Sequence, residues 1–146
     1  MSALPVRVKL LRPGARLPYR ATELASGFDI HACLPSGMDV RLSQVPTLIP
    51  TGLAMEVSPG LDAQLRPRSG LARQGVLATY GTLDADYRGE LFIALYTTSP
   101  HIEYVVRDGD RIAQLVITQL AQVEMIEAAE LTETARGAGG HGSTGR

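Results

Sequence analysis

The chain has one cysteine, Cys33, one lysine, Lys9, no tryptophan, and only 5% aromatic residues in its 146 positions. A lone thiol excludes an internal disulfide and any multi-cysteine metal site, so nothing demands an oxidising compartment. No apolar run is long enough to cross a membrane, and the opening Met1-Ser2-Ala3-Leu4-Pro5-Val6-Arg7-Val8 has no apolar stretch for secretion. A cytoplasmic protein is expected. Charge of one sign is missing too: a net charge of -1 gives no general attraction for nucleic acid or membranes, so any phosphate binding must be local. Nearly all the cations are arginine, whose planar guanidinium grips phosphate oxygens through two donors; genomic base composition accounts for the same bias.

A hydrophobic content of 45% suits a single soluble globular domain of this length. Apolar residues recur at period two: Val6, Val8 and Leu10; Val40 and Leu42; Leu53, Met55 and Val57; Ala63 and Leu65; Val123 and Met125. This is strand spacing, and the nine prolines and fifteen glycines fall between the runs as turns. An all-β sandwich or barrel follows. The runs Leu91 to Tyr96 and Ile112 to Ile117 are apolar on both faces and are expected to be covered on both sides, with another subunit as the favoured cover. One short helix is expected after Arg68, capped by Ser69 and closed by Gly75.

Five segments carry polar chemistry. Gly81-Thr82-Leu83-Asp84-Ala85-Asp86-Tyr87-Arg88-Gly89-Glu90 sets carboxylates, an aromatic face and a cation between glycines, and suits either a binding or catalytic loop or an ordinary polar hairpin tip. Ala25 to Ala32 places Asp29 and His31 on one strand face after Gly27. Arg66-Pro67-Arg68-Ser69-Gly70 offers two guanidinium groups and a hydroxyl at the start of the expected helix. Gly109 to Leu115 sets Gln114 inside an apolar strand. The final stretch, Arg136 to Gly145, is too glycine-rich for a core; it suits a frayed tail, or a segment that orders over an anion between Arg136 and Arg146. Each segment by itself also has a plain structural explanation.

Together and in this order, the five segments resemble the motif series of the trimeric dUTP pyrophosphatases (dUTPases), from Ala25 to Gly145. The resemblance implies a distorted, jelly-roll-like all-β barrel over residues 1–135 and a flexible glycine-rich phosphate-covering tail over 136–146. It implies a homotrimer with active sites at subunit boundaries, cytoplasmic and without nucleic acid or membrane partners, that cleaves dUTP to dUMP and pyrophosphate and so limits uracil in DNA. Asp84 is implied as the general base that activates water for in-line attack on the α-phosphorus, in preference to Asp86. Arg68, Ser69, Gly70 and Gln114 are implied at the phosphates, completed by Arg136, Gly142 and Ser143 of the tail. Ala78, Thr82, Leu83, Tyr87 and His141 are implied at uracil and deoxyribose, with the Tyr87 ring leaving no room for a 2′-hydroxyl. Mg²⁺ is implied on the phosphates and water, with no direct protein ligand and Asp29 as a partner through water.

Two departures stand out. Many bacterial members carry asparagine at the position of Ala78 and proline at Tyr80, and the tail usually has phenylalanine where His141 stands, so weaker or pH-sensitive lid closure is expected. A dCTP deaminase shares the barrel but lacks the glycine-rich tail and needs a catalytic glutamate. A nucleotide-sensing protein without turnover is the other alternative; Asp84, Tyr87 and Arg136 speak against it.

Overall fold

A computed structural model of the chain describes residues 3–35, 38–142 and 144–145. The period-two runs fold into strands: β1 (Val6–Leu10), β2 (Gly27–His31), β3 (Val40–Arg41), β4 (Thr47–Val57), β5 (Leu61–Arg66), β6 (Val76–Ala78), β7 (Gly81–Leu83), β8 (Glu90–Thr97), β9 (Val105–Val106) and β10 (Arg111–Gln119), with an α-helix, α1 (Ser69–Arg73), between β5 and β6. Two four-stranded antiparallel sheets, ordered β1-β4-β8-β6 and β2-β10-β5-β7, face each other, with the pair β3-β9 alongside. Leu53, Met55, Ile93 and Leu95 of one sheet meet Ile30, Leu65, Ile112 and Leu115 of the other in one core. This is a distorted jelly-roll-like β barrel, as the alternation of apolar and polar positions requires.

Three expectations are corrected. Both faces of β10 are covered within the chain, because Ile112, Ala113, Leu115 and Val116 are all buried beneath neighbouring elements; no other subunit is needed there. On β8 the residues alternate, with Leu91, Ile93 and Leu95 inside and Phe92 outside, so within the single chain only one face is covered. Val123 and Met125 belong to no strand: the chain after β10 runs on unpaired, leaving them 75% and 91% exposed. In α1 the cap is Arg68 rather than Ser69, without a side-chain capping bond, while Gly75 closes the turn at φ +79° as expected.

One polar cluster bridges a break between the two inner strands of the first sheet. The β4–β8 register breaks between Pro50 and Ala54, and Gly52 passes through the break at φ +70°, where a Cβ would stand 2.8 Å from that of Ala15. Its N–H donates to Glu90 Oε1 at 3.1 Å, and the same oxygen pairs with Arg12, whose Nη2 donates to the Cys33 carbonyl at 3.0 Å. Burial works against the Arg12 charge, but the hydrogen bond and charge of Glu90 outweigh it and hold the guanidinium above its ordinary value. Glu90→Ala takes from Arg12 its carboxylate partner and from the Gly52 amide its acceptor. It is expected to cost on the order of 3 kcal/mol, with Arg12→Ala adding little in the Glu90→Ala background; urea denaturation at fixed protein concentration measures both.

His31 ends β2 as a buried imidazole stacked on Tyr19, ring centroids 5.5 Å apart. Burial, then the Arg16 charge, lowers its pKa below the ordinary 6.5. As pH falls through 6.5 the unfolded chain takes up this proton before the folded one, so stability is lost on acidification. The fall in melting temperature between neutral and mildly acidic buffer is expected to be smaller in His31→Phe than in the wild type.

Candidate active site

The site begins with strand register. β10 lies between β2 and β5, and Gln114 faces Asp29 on one side and Arg66 on the other. Residues directly opposite in a sheet project to the same face, so a carboxylate, an amide and a guanidinium stand in one row. Gly27, two residues before Asp29, makes room for the row: a Cβ there would collide with the Gln114 side chain. Gln114 then donates from Nε2 to the Pro67 carbonyl at 2.9 Å, pinning the segment that leads into α1.

Asp29 is the electrostatic centre. Its side chain is 13% exposed, with Oδ1 3.4 Å from Arg68 Nε and Oδ2 3.3 Å from Arg111 Nη1. Arg68 Nη1 also donates to the Arg111 carbonyl at 3.3 Å, and the Asp29 N–H donates to the Tyr19 carbonyl at 2.8 Å. Both oxygens of Asp29, implied by the resemblance as a partner of the metal through water, are thus held by guanidinium groups.

A cleft of about 510 Å³ opens beside this row, lined by Arg66, Arg68, Ser69 and Gln114 on one side and by Ala78, Thr79, Tyr80 and Tyr96 on the other. The amides of Ser69, Gly70 and Leu71 precede the first helical bond, from the Ala72 N–H to the Arg68 carbonyl at 2.9 Å. Nothing stands within 4 Å of where a Gly70 Cβ would be. Ala78 is buried, so its methyl packs inward and only its main chain is available. Tyr80, 75% exposed at the turn between β6 and β7, and Tyr96 give the opposite wall aromatic character that the sequence reading did not assign. The sequence signal for this wall is Tyr80 itself, where many family members carry proline.

Asp84 and Tyr87 lie elsewhere, on the loop between β7 and β8, and do not line this cleft. The Tyr87 N–H donates to the Asp84 carbonyl at 3.1 Å, and Arg88 Nη1 closes on the Ala85 carbonyl at 2.6 Å, which makes the loop a tight turn. Among the described residues the Asp84 carboxylate has no hydrogen-bond or ion-pair partner and is exposed. The Tyr87 ring folds over Gly89, where a Cβ would collide with it, and its hydroxyl donates to the Glu90 carbonyl at 2.9 Å. Thr82 turns its hydroxyl to Gln64 Oε1 at 3.2 Å, and Leu83 is buried in the core, so both offer a ligand mainly their backbone.

In the tail, Arg136 Nε donates to the Gly139 carbonyl at 2.8 Å, and His141 and Gly142 take left-handed φ of +50° and +90°. None of the three lines the cleft. Ser143 lies outside the described residues. Among the described residues no three His, Cys, Asp or Glu side chains gather to hold a metal, and the guanidinium groups that line the cleft carry the charge of a dication's own sign. A second cavity, lined by Leu4, Val8, Leu17, Phe28, Met55 and Leu115, is apolar apart from Arg20, which stands 4.5 Å over the Phe28 ring.

The chain is 46% identical over 141 residues to the deoxyuridine 5′-triphosphate nucleotidohydrolase of Hydrogenobaculum sp. (strain Y04AAS1), covering 94% of this chain and 96% of that protein. To the enzyme of the same name from Neorickettsia sennetsu it is 42% identical over 132 residues, covering 88% and 87%. Among solved structures, the dUTPase of Staphylococcus bacteriophage 80alpha with dUpNHpp superposes with a TM-score of 0.85 at 26% identity, over 99% of this chain and 100% of that one. A dUTPase from phage phi11 of S. aureus, whose study concerns coordination of a structural Mg(II) ion, shares the fold with a TM-score of 0.77 at 24% identity, covering 87% and 98%. The dUTPase family profile matches residues 14–145, and with these relatives it establishes that the chain belongs to the dUTPase family.

Proposed function

We propose that the protein is a dUTP diphosphatase that hydrolyses dUTP to dUMP and pyrophosphate, which limits uracil in DNA. The observation that carries this reading is the exposed Asp84 carboxylate, unpaired among the described residues, on the same loop as the folded Tyr87 ring and separate from an arginine-lined cleft. A triphosphate leaves water only where donors replace its hydration. Arg68, the Ser69 hydroxyl, the free amides at Ser69 and Gly70, and the Gln114 side chain supply them, and they stabilise charge that moves to the departing pyrophosphate. The open space at Gly70 suits close approach of a phosphate to the backbone.

Asp84 is the general base. A free, exposed carboxylate accepts a hydrogen bond from water and takes its proton as the oxygen attacks the α-phosphorus in line with the leaving oxygen. Tyr87, braced over Gly89, presents a wall to deoxyribose that a 2′-hydroxyl would strike. Uracil is read chiefly by the backbone of the hairpin around Val76 to Gly81, with that of Leu83, because Ala78 has no side-chain amide to offer and Leu83 faces the core. Mg²⁺ comes as part of the substrate, on its phosphate oxygens and water, and offsets part of the polyanion's charge.

A single chain keeps Asp84 and Tyr87 off the cleft that holds Arg68 and Ser69, so the complete site is assembled between chains of a homotrimer. The exposed apolar side chains of Val123, Met125 and Ile126, and Phe92 on the outer face of β8, support such a contact. Residues 136–146 act as the lid: Arg136, Gly142, Ser143 and His141 close over the nucleotide from a neighbouring chain.

Mass measurement in solution should give a trimer, and a panel of deoxynucleoside triphosphates with Mg²⁺ should yield pyrophosphate from dUTP alone. Ammonia from dCTP, or binding with no product, rejects the reading. Asp84→Asn should retain dUTP binding and lose on the order of a hundredfold or more in kcat. Removing residues 136–146 should leave assembly and melting temperature unchanged while kcat/KM collapses; a monomeric or unfolded truncate rejects the lid assignment.

A further inference from the structure

Asp29 is a carboxylate set at the edge of a site that we read as binding a polyanion, where its charge alone opposes the ligand. Its geometry supplies a compensating task. Arg68 approaches Oδ1 through Nε at 3.4 Å and anchors Nη1 on the Arg111 carbonyl at 3.3 Å, which leaves Nη2 without a partner among the described residues. Arg111 draws on the other oxygen at 3.3 Å. Asp29 itself is immobilised, because β2 pairs with β10 at Gln114 on one side and its N–H is bonded to the Tyr19 carbonyl on the other. A long arginine side chain free in solvent loses much rotamer freedom when it grips a ligand; one already held by its Nε edge does not.

We propose that Asp29 is a positioning residue that preorganises Arg68 for phosphate, with Arg111 as the counterweight that keeps the carboxylate centred, and that this role does not depend on divalent metal. The inference rests on the phosphate-site reading above. It makes Arg111 part of the site through Asp29.

Simple electrostatics and positioning predict opposite signs, which makes the test sharp. Titration calorimetry with inorganic tripolyphosphate and with dUpNHpp is run on wild type, Asp29→Asn, Arg68→Ala and the double variant, in EDTA and in saturating Mg²⁺. Positioning predicts that Asp29→Asn weakens both ligands about tenfold in EDTA and by the same factor in Mg²⁺, with no change in the Mg²⁺ concentration for half-maximal effect. In the Arg68→Ala background Asp29→Asn should then cost nothing further, because the residue it served is gone. Metal-free binding that is unchanged or tighter in Asp29→Asn, an effect confined to Mg²⁺ dependence, or full additivity in the double variant overturns the proposal. Thermal melts exclude loss of fold, and Asp29→Glu, which keeps the charge, should recover part of the affinity. A wild type that binds neither ligand removes the phosphate-site reading and this proposal with it, whereas a wild type that binds both with Asp29→Asn unaffected removes only the proposal.

Discussion

The row formed by Asp29, Gln114 and Arg66 across three neighbouring strands is the constraint on which the site depends. A slip of one residue in β10 would turn Gln114 to the other face and bring an apolar neighbour into its place. The slip is resisted because Ile112, Ala113 and Leu115 are fully or almost fully buried on their own faces. The same packing that stabilises the barrel thus fixes the polar row, and the shift in register between Arg111 and Ala113 delivers Arg111 beside Asp29. Fold and site share one determinant.

A second tie operates at the opposite kind of position, where the ladder fails. At the break in β4, Glu90 takes the amide that Gly52 no longer gives to the ladder and pairs with Arg12 in the same contact. Glu90 also closes the loop that carries Asp84 and Tyr87, since the Tyr87 hydroxyl bonds to its carbonyl. One residue therefore joins the interior of the sheet to the turn that carries Asp84. The rigidity of that turn comes from Arg88 and Gly89 as well: the first binds the backbone of Ala85, and the second gives the aromatic ring a place to lie.

Much of this was legible in the sequence. Alternation at Leu53, Met55 and Val57 or at Ala63 and Leu65 identifies strands because the buried face of a sheet repeats every second residue. The motif order gave the dUTPase family outright. It did not reveal that Asp29 is clamped by Arg68 and Arg111, because those residues come from three separate segments that only strand pairing brings together. Nor could alternation tell that Val123 and Met125 lie unpaired, since an extended segment looks the same whether or not a partner strand exists in its own chain. The double-faced apolarity of β10 and β8 has two causes: full enclosure within the domain for the first, and an outer face left open within the chain for the second. The distance between the Asp84 loop and the arginine cleft was invisible to any one-dimensional pattern, yet it is what makes a lone chain an incomplete catalyst in our reading.

Gly27 and Gln114, one at the start of β2 and the other inside β10, occupy a single volume: the space that a Cβ at 27 would need is filled by the amide at 114. A larger residue at the first position becomes admissible only when the second shortens, and a shorter second surrenders the bond to Pro67. Evolutionary drift at either place is therefore conditional on the other, and the two should vary in concert across descendants of this sequence, although 87 positions separate them in the primary chain.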